Sequence, residues 1–356
     1  MNYRKTFKDF KNLKVLITGT TGFKGAWLAH WLNLLDAKVI GLGLKPEKNF
    51  ILHQELKLNK FVKQYIFDIN NYQKLFSVIK KEKPDFIFHL AAQSIVSHSY
   101  EDPLNTFKSN IIGSANILEA FRKSKTPGLV FVTSDKCYFN TNKKVSFKET
   151  DKLGGFDNYS SSKASAEHIF FSYYQSFFKN KSSKKVASVR AGNVIGGGDF
   201  KKNRIIPDII RSIQKNKKVV IHNPNSIRPW QHVLEPLSGY LLLAHKMMNK
   251  KINNNWLPIW NFGPENKDYK KVFYVAKKFL NEFNKKNFIK VNHGRRFLES
   301  KYLSININKA AHELKWKPRL SLEQSIQFTA DWYKSYFAYE NLVNKTSEQI
   351  YQFSDT

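Results

Sequence analysis

Tyr159 and Lys163 stand four positions apart in Tyr159-Ser160-Ser161-Ser162-Lys163. On a helix, that spacing places both side chains on one face. A phenol has an ordinary pKa near 10, and a neighbouring ammonium favours its phenolate. Tyr159 is therefore a candidate base for a hydroxyl proton, with Lys163 tuning it. The spacing alone is common on helices. Ser134, at the end of a strand expected over 129–133, adds a hydroxyl and makes a set of three.

A second group near the N-terminus could bind phosphate. Gly19-Thr20-Thr21-Gly22-Phe23-Lys24-Gly25 follows an expected strand and opens an expected helix. A nucleotide pyrophosphate can rest on such a helix N-terminus, and glycines let the backbone approach it. A tight turn without ligand is the plainer reading of the same residues. At the end of the second strand, where an acid normally holds the adenosine ribose, the chain has Gly41-Leu42-Gly43-Leu44-Lys45, and Glu47 is the first acid. The choice between NAD and NADP is thus not encoded there. Asp68 and Ile69 follow the third strand, and Ala91, Ala92 and Gln93 follow the fourth. Small side chains at Ala91 and Ala92 leave room for a cofactor across the sheet edge, and suit ordinary packing equally well.

These residues need a scaffold that delivers strand ends to one rim. Short β-branched runs at 13–18, 38–44, 62–67, 85–90, 129–133 and 185–190 alternate with longer amphipathic segments, the pattern of parallel strands joined by crossover helices. Phe23, Trp27, Trp31 and Leu35 form one apolar helix face, and 103–121 and 160–178 read as further helices. The fold class is α/β, a Rossmann-type doubly wound parallel sheet with a smaller α+β substrate-binding domain. We expect residues 1–190 to form the cofactor domain, with a return segment at about 228–262. Residues 191–227 and 263–340 would form the second domain, and 341–356 a loose polar tail.

The 356 residues allow about two domains of roughly 150 residues each. One cysteine, Cys137, excludes an internal disulfide framework, and no Cys/His spacing suggests a metal site. This fits a reducing compartment, and with no long apolar run the expectation is a cytoplasmic protein without a membrane partner. The formal charge of +31 comes from lysines spread over every region. No basic block alternates with aromatics as in a nucleic-acid groove, so the charge is read as composition that also attracts small anions.

The chain resembles the extended short-chain dehydrogenase/reductase superfamily, and within it the CDP-glucose 4,6-dehydratases. The resemblance runs over about residues 12–320. It is carried by Thr21-Gly22-Phe23-Lys24-Gly25, Ala91-Ala92-Gln93, Thr133-Ser134-Asp135-Lys136-Cys137-Tyr138, Arg190 to Asp199 (Arg-Ala-Gly-Asn-Val-Ile-Gly-Gly-Gly-Asp) and Arg228 to Pro236. Related dTDP-glucose dehydratases carry Thr-Asp-Glu where this chain has Ser134-Asp135-Lys136. The resemblance implies bound NAD, with Lys163 also on the nicotinamide ribose, and a reaction in which carbon 4 of a hexose is oxidised, water is lost across carbons 5 and 6, and hydride returns to carbon 6. Tyr159 would be the carbon 4 base with Ser134 beside it, Asp135 the acid for the departing hydroxyl, and Lys136 the carbon 5 base. Ser134 as a turn cap and Asp135 paired with Lys136 are the plainer alternatives.

A sugar nucleotide carries a diphosphate, which calls for arginine forks. Arg204 and Arg228 are the candidates, and the resemblance places Asn193 near the glycosyl phosphate. Tyr302 and Arg319 are further cleft candidates, whereas Trp230 and His232 are read as packing. The resemblance also implies a homodimer built as a four-helix bundle. The competing readings are a dehydratase for another nucleotide, a 4-epimerase, and, remotely, a non-catalytic NAD-dependent RNA-binding protein.

Overall fold

Short apolar runs separated by crossover segments must pair in parallel, and they do. In the computed structural model, which describes residues 1–46, 51–180, 183–249, 257–292 and 300–355, six strands match the expected runs. They are β1 (Lys14–Thr18), β2 (Lys38–Gly43), β3 (Lys63–Ile66), β4 (Phe86–His89), β5 (Gly128–Val132) and β6 (Lys185–Ala191). A seventh, Ile259–Phe262, pairs with β6. The order across the sheet is Ile259–Phe262, β6, β5, β4, β1, β2, β3, parallel throughout. Both faces are covered, so Val15 and Ile17 enter one core and Leu16 the other. The winding direction reverses between β1 and β4, which opens a crevice at their carboxyl ends.

The expected helix over 103–121 is a succession: Pro103–Phe107, a π-helical turn Lys108–Ile112, and Gly113–Lys123. The one over 160–178 is Asn158–Tyr173, extended by a π turn Tyr174–Phe178. Helix Phe23–Leu34 has more than the single apolar face its periodicity suggests, because Gly25, Ala26, Leu28, Ala29, His30 and Leu32 are buried as well. Helices Leu234–Met248 and Leu342–Asp355 contact it.

The second of those helices corrects the expectation of a loose tail. Leu342, Thr346, Ile350 and Phe353 recur at helical spacing and are buried. Trp332 Nε1 donates to Thr346 Oγ1 at 2.9 Å, and Gln349 Nε2 donates to the Phe328 carbonyl at 2.7 Å. Polar composition hid the stripe, since Thr346 and Gln349 face the core through hydrogen bonds to specific distant partners.

After β6 the elements shorten. Helix Ile205–Gln214 packs with helix Val272–Asn281. Strand Val219–Ile221 pairs with Ile289–Val291, and Ile227–Pro229 with Tyr269–Lys271. Among the described residues no helix is long and apolar enough to cross a membrane.

Candidate active site

The glycine loop is built for close approach. Gly19 has φ +85, and a Cβ there would lie 2.9 Å from the Ala91 nitrogen; one at Gly25 would lie 2.1 Å from the Gly19 carbonyl oxygen. Gly22 caps helix Phe23–Leu34 with no side chain over its first N–H groups. Gly41 and Gly43 on β2 are needed too, because a Cβ at either would strike the hydroxyl of Thr20 (2.8 Å) or Thr21 (2.5 Å). A cradle that side chains would fill, at the sheet's reversal point, fits a dinucleotide pyrophosphate. Ala91 N donates to Thr18 Oγ1 at 3.1 Å, which holds β4's end against the loop. Ala92 follows it and is half-buried. Gln93 is tied down by its own contacts, its N–H donating to Asn110 Oδ1 at 2.8 Å and its Nε2 to Thr106 Oγ1 at 2.9 Å. Asp68 Oδ1 accepts from Asn70 N at 2.8 Å, and Ile69 is buried in the second core. Glu47 lies outside the described residues.

The reacting groups converge at the end of β5. Ser134 caps the short turn Asp135–Cys137, accepting from Lys136 N at 3.2 Å, and its hydroxyl donates to Asp135 Oδ1 at 3.1 Å. Across from it, Asp157 caps helix Asn158–Tyr173 by accepting from Ser160 N at 2.9 Å. Gly155 lets that helix start so close, since a Cβ there would sit 2.3 Å from the Ser160 carbonyl carbon. The helix delivers Tyr159 between two amines: Lys136 Nζ and Lys163 Nζ each lie 6.0 Å from the ring centroid.

Burial dominates the electrostatics here. It pushes the Tyr159 phenol up to about 12, against a lowering hydrogen bond with Ser134. The phenolate expected of Tyr159 thus needs the positive charge of an oxidised nicotinamide in addition to the neighbouring ammonium. Burial lowers Lys163 to about 8, opposed by Glu167. Asp135 is raised to about 6 by burial, which outweighs Lys136, the Ser134 hydrogen bond, Arg228 and Lys24. Its Oδ2 has no hydrogen-bond partner among the described residues. Lys24 leans toward this group as well as toward the cofactor loop; burial and Arg204 bring it down to about 8, with Asp135, Lys163 and Asp199 also in its field.

On the substrate side, Arg228 is buried at 3 % exposure, with Nη1 donating to the Ile227 carbonyl at 3.0 Å, and its charge reaches Asp135. Arg204 reaches across the cleft and is already engaged, donating to Asp199 Oδ2 at 2.8 Å and to Ser94 Oγ at 2.9 Å. Asn193 is half-buried, and its carbonyl accepts from Gln231 N at 3.0 Å. Tyr302 is half-buried beside strand Ile227–Pro229. Arg319 is not in the cleft: it donates to the Phe353 carbonyl at 2.8 Å and lies 3.8 Å from the Tyr3 ring centroid, clamping the two ends of the chain. His232 packs between Trp27 and Phe328, and Trp230 Nε1 donates to the Lys270 carbonyl, both structural as expected. Asn110 and Glu167 were missed. Glu167's one signal was its place four residues after Lys163.

Comparison with known proteins identifies the family. Residues 16–329 match the family model described as GDP-mannose 4,6 dehydratase. A protein of Salmonella typhimurium named CDP-glucose 4,6-dehydratase is 37% identical over 342 residues, covering 95% of each chain. The structure of dTDP-glucose 4,6-dehydratase from Bacillus anthracis in complex with NAD is similar at a TM-score of 0.77 and 25% identity, covering 93% of this chain and 99% of that one. DesIV, a dTDP-glucose 4,6-dehydratase from Streptomyces venezuelae, shares the fold at a TM-score of 0.79 and 18% identity, covering 93% of this chain and 100% of that one. With the family model spanning most of its length and a relative matched nearly end to end, the chain belongs to the GDP-mannose 4,6 dehydratase family of nucleotide-sugar dehydratases, within the extended short-chain dehydrogenase/reductases.

Proposed function

We propose that the protein is a CDP-glucose 4,6-dehydratase, a carbon–oxygen lyase that converts CDP-D-glucose to CDP-4-dehydro-6-deoxy-D-glucose and water. The observation that carries this reading is the Ser134-Asp135-Lys136 turn facing Tyr159 and Lys163, with Asp135 pushed toward its acid form. Gly19, Thr21, Gly22, Phe23, Lys24 and Gly25 would hold the pyrophosphate of NAD. Asp68, Ile69, Ala91, Ala92 and Gln93 would border its adenosine and ribose, and Tyr159 and Lys163 the nicotinamide ribose. Bound NAD supplies a hydride acceptor for carbon 4 and the same hydride for carbon 6.

Tyr159 takes the proton of the carbon 4 hydroxyl, which Ser134 holds in place. Once carbon 4 is a ketone, the carbon 5 proton is acidic, because the charge left behind delocalises as an enolate. Lys136 removes that proton and returns it to carbon 5 once carbon 6 is reduced, and Asp135 gives its own to the departing carbon 6 hydroxyl. Arg228, Asn193 and Arg204 hold the diphosphate, with Arg204 exchanging Asp199 or Ser94 for a phosphate oxygen. Residues 191–227 and 263–340 form the lobe that receives the nucleotide.

The lone, buried Cys137 suits a reducing compartment, and we place the enzyme in the cytoplasm. We further assign a homodimer in which the 103–123 and 158–178 helices of two copies form a four-helix bundle. Leu104 at 79% exposure, Ile112 at 52% and Phe171 at 41% support that pairing. The decisive experiment incubates the purified protein with NAD and CDP-glucose deuterated at carbon 4. A product one water lighter, with deuterium in its methyl group, is expected; an unchanged sugar overturns the reading.

A further inference from the structure

Beneath the reactive rim lies a polar layer that the mechanism above does not use. Glu167, one turn beyond Lys163, is 1% exposed, and its carboxylate is saturated. Oε1 accepts from Thr133 Oγ1 and from Ser188 Oγ at 2.6 Å, and Oε2 accepts from Arg190 Nη2 at 2.7 Å. Arg190 is equally buried; its Nη1 donates to the Glu149 carbonyl at 3.2 Å, and its guanidinium lies 4.8 Å from the Tyr138 ring centroid. Tyr138 in turn donates to Asn261 Oδ1 at 2.7 Å on the seventh strand. Thr133 immediately precedes Ser134, and Tyr138 closes the turn that carries Asp135 and Lys136. Both ends of the reactive segment are thus anchored on one ion pair.

We propose that Glu167, through its pair with Arg190, is a positioning residue for oxidation at carbon 4, locking the Thr133-Ser134 strand end against the helix that carries Tyr159 and Lys163. This rests on the dehydratase reading. A buried ion pair is costly to desolvate, and apolar residues often replace one without loss, so stability alone does not account for it. Its charge has a target. Lys163 faces Tyr159 and Glu167 on its own helix, Cys137 on the turn, His89 on β4 and Lys24 on helix Phe23–Leu34. Burial holds His89 neutral at about 3 and pushes the Cys137 thiol far up, so neither carries charge near neutrality. Burial would raise Glu167 as well, but Arg190, Ser188 and Thr133 outweigh it and hold the carboxylate below its ordinary range. Of the groups named, Glu167 is the permanent negative charge that opposes the loss of the Lys163 proton.

The test uses the full-length enzyme with three variants: the neutral pair Glu167→Gln/Arg190→Gln, the charge-retaining Glu167→Asp, and Thr133→Val. NAD affinity and the rate of nicotinamide reduction on mixing with CDP-glucose are followed from neutral to alkaline pH, together with thermal stability. In the neutral pair the alkaline limb of both profiles should move to lower pH, by less than loss of a lone carboxylate would give because the Arg190 charge leaves with it. Glu167→Asp should keep the wild-type limb. Thr133→Val should slow reduction by about tenfold with the limb unmoved, because misplacing Ser134 costs orientation without changing charge. Superimposable limbs in wild type and neutral pair overturn the proposal, as does a shifted limb in Glu167→Asp if the neutral pair fails to fold. The NAD limb needs no sugar, so a wild-type enzyme inert toward CDP-glucose refutes the dehydratase reading separately.

Discussion

Two carboxylates near the end of β5 are buried to nearly the same degree, Asp135 at 3% exposure and Glu167 at 1%, yet their protons behave oppositely. Glu167 accepts three side-chain hydrogen bonds, one of them from Arg190, and is held below its ordinary range. Asp135 has the Ser134 hydroxyl on one oxygen and no hydrogen bond on the other among the described residues, and it rises to about 6. Burial alone therefore does not decide ionisation; the Arg190 charge paired directly with the Glu167 carboxylate, followed by the donors aimed at it, does. A saturated carboxylate acts as fixed charge, and an unsaturated one is left able to donate a proton.

The sharpest way to break this contrast is Asp135→Asn. If Asp135 is the acid, elimination should fall by about 10²–10⁴-fold, while oxidation proceeds and reduced nicotinamide accumulates, as followed by its absorbance. Lys136→Ala should stall at the same stage by removing the carbon 5 base; an enzyme that only epimerised carbon 4 would largely survive it.

Next in size is Arg190→Met, which strands the Glu167 charge. A loss of about 3–5 kcal/mol is expected in denaturant unfolding, and a loss under 1 kcal/mol would show that Glu167 does not depend on that partner. A smaller effect of opposite sign comes from Asp135. A folded pKa of about 6 against an ordinary 3.8 means that the native state holds this proton more tightly, so the group's penalty is absent below the lower value and complete above the upper. Asp135→Asn should accordingly stabilise the protein by about 1–3 kcal/mol near neutral pH, with the gain vanishing as the pH falls through that window. The smallest effect is expected from Thr133→Val, about 1 kcal/mol for one of three donors to Glu167.

Much of this arrangement was legible beforehand. The runs at 13–18, 38–44 and 85–90 became β1, β2 and β4 within a residue at each end, because a strand buried on both faces is written as a continuous apolar run. The triplet Ser134-Asp135-Lys136 and the pair Tyr159-Lys163 did meet. Less was legible where polar residues face a core. The helix Leu342–Asp355 hid behind Thr346 and Gln349, whose partners Trp332 and Phe328 lie elsewhere in the chain. Arg319 had the right chemistry for a phosphate but serves the chain ends, and Arg204 is spoken for by Asp199 and Ser94.

What the sequence determined by itself is the local part: the alternation that makes a parallel sheet, the glycines that open its first turn, and the spacing that puts a phenol and an amine on one helical face. Each depends on backbone geometry within a few residues. Only the tertiary structure decided the protonation of those groups. A pKa depends on desolvation and on charges and donors contributed from distant elements: the end of β5 and β6 for Glu167, the strand of Arg228 and the helix of Lys24 for Asp135. Those distances exist only once the chain has closed.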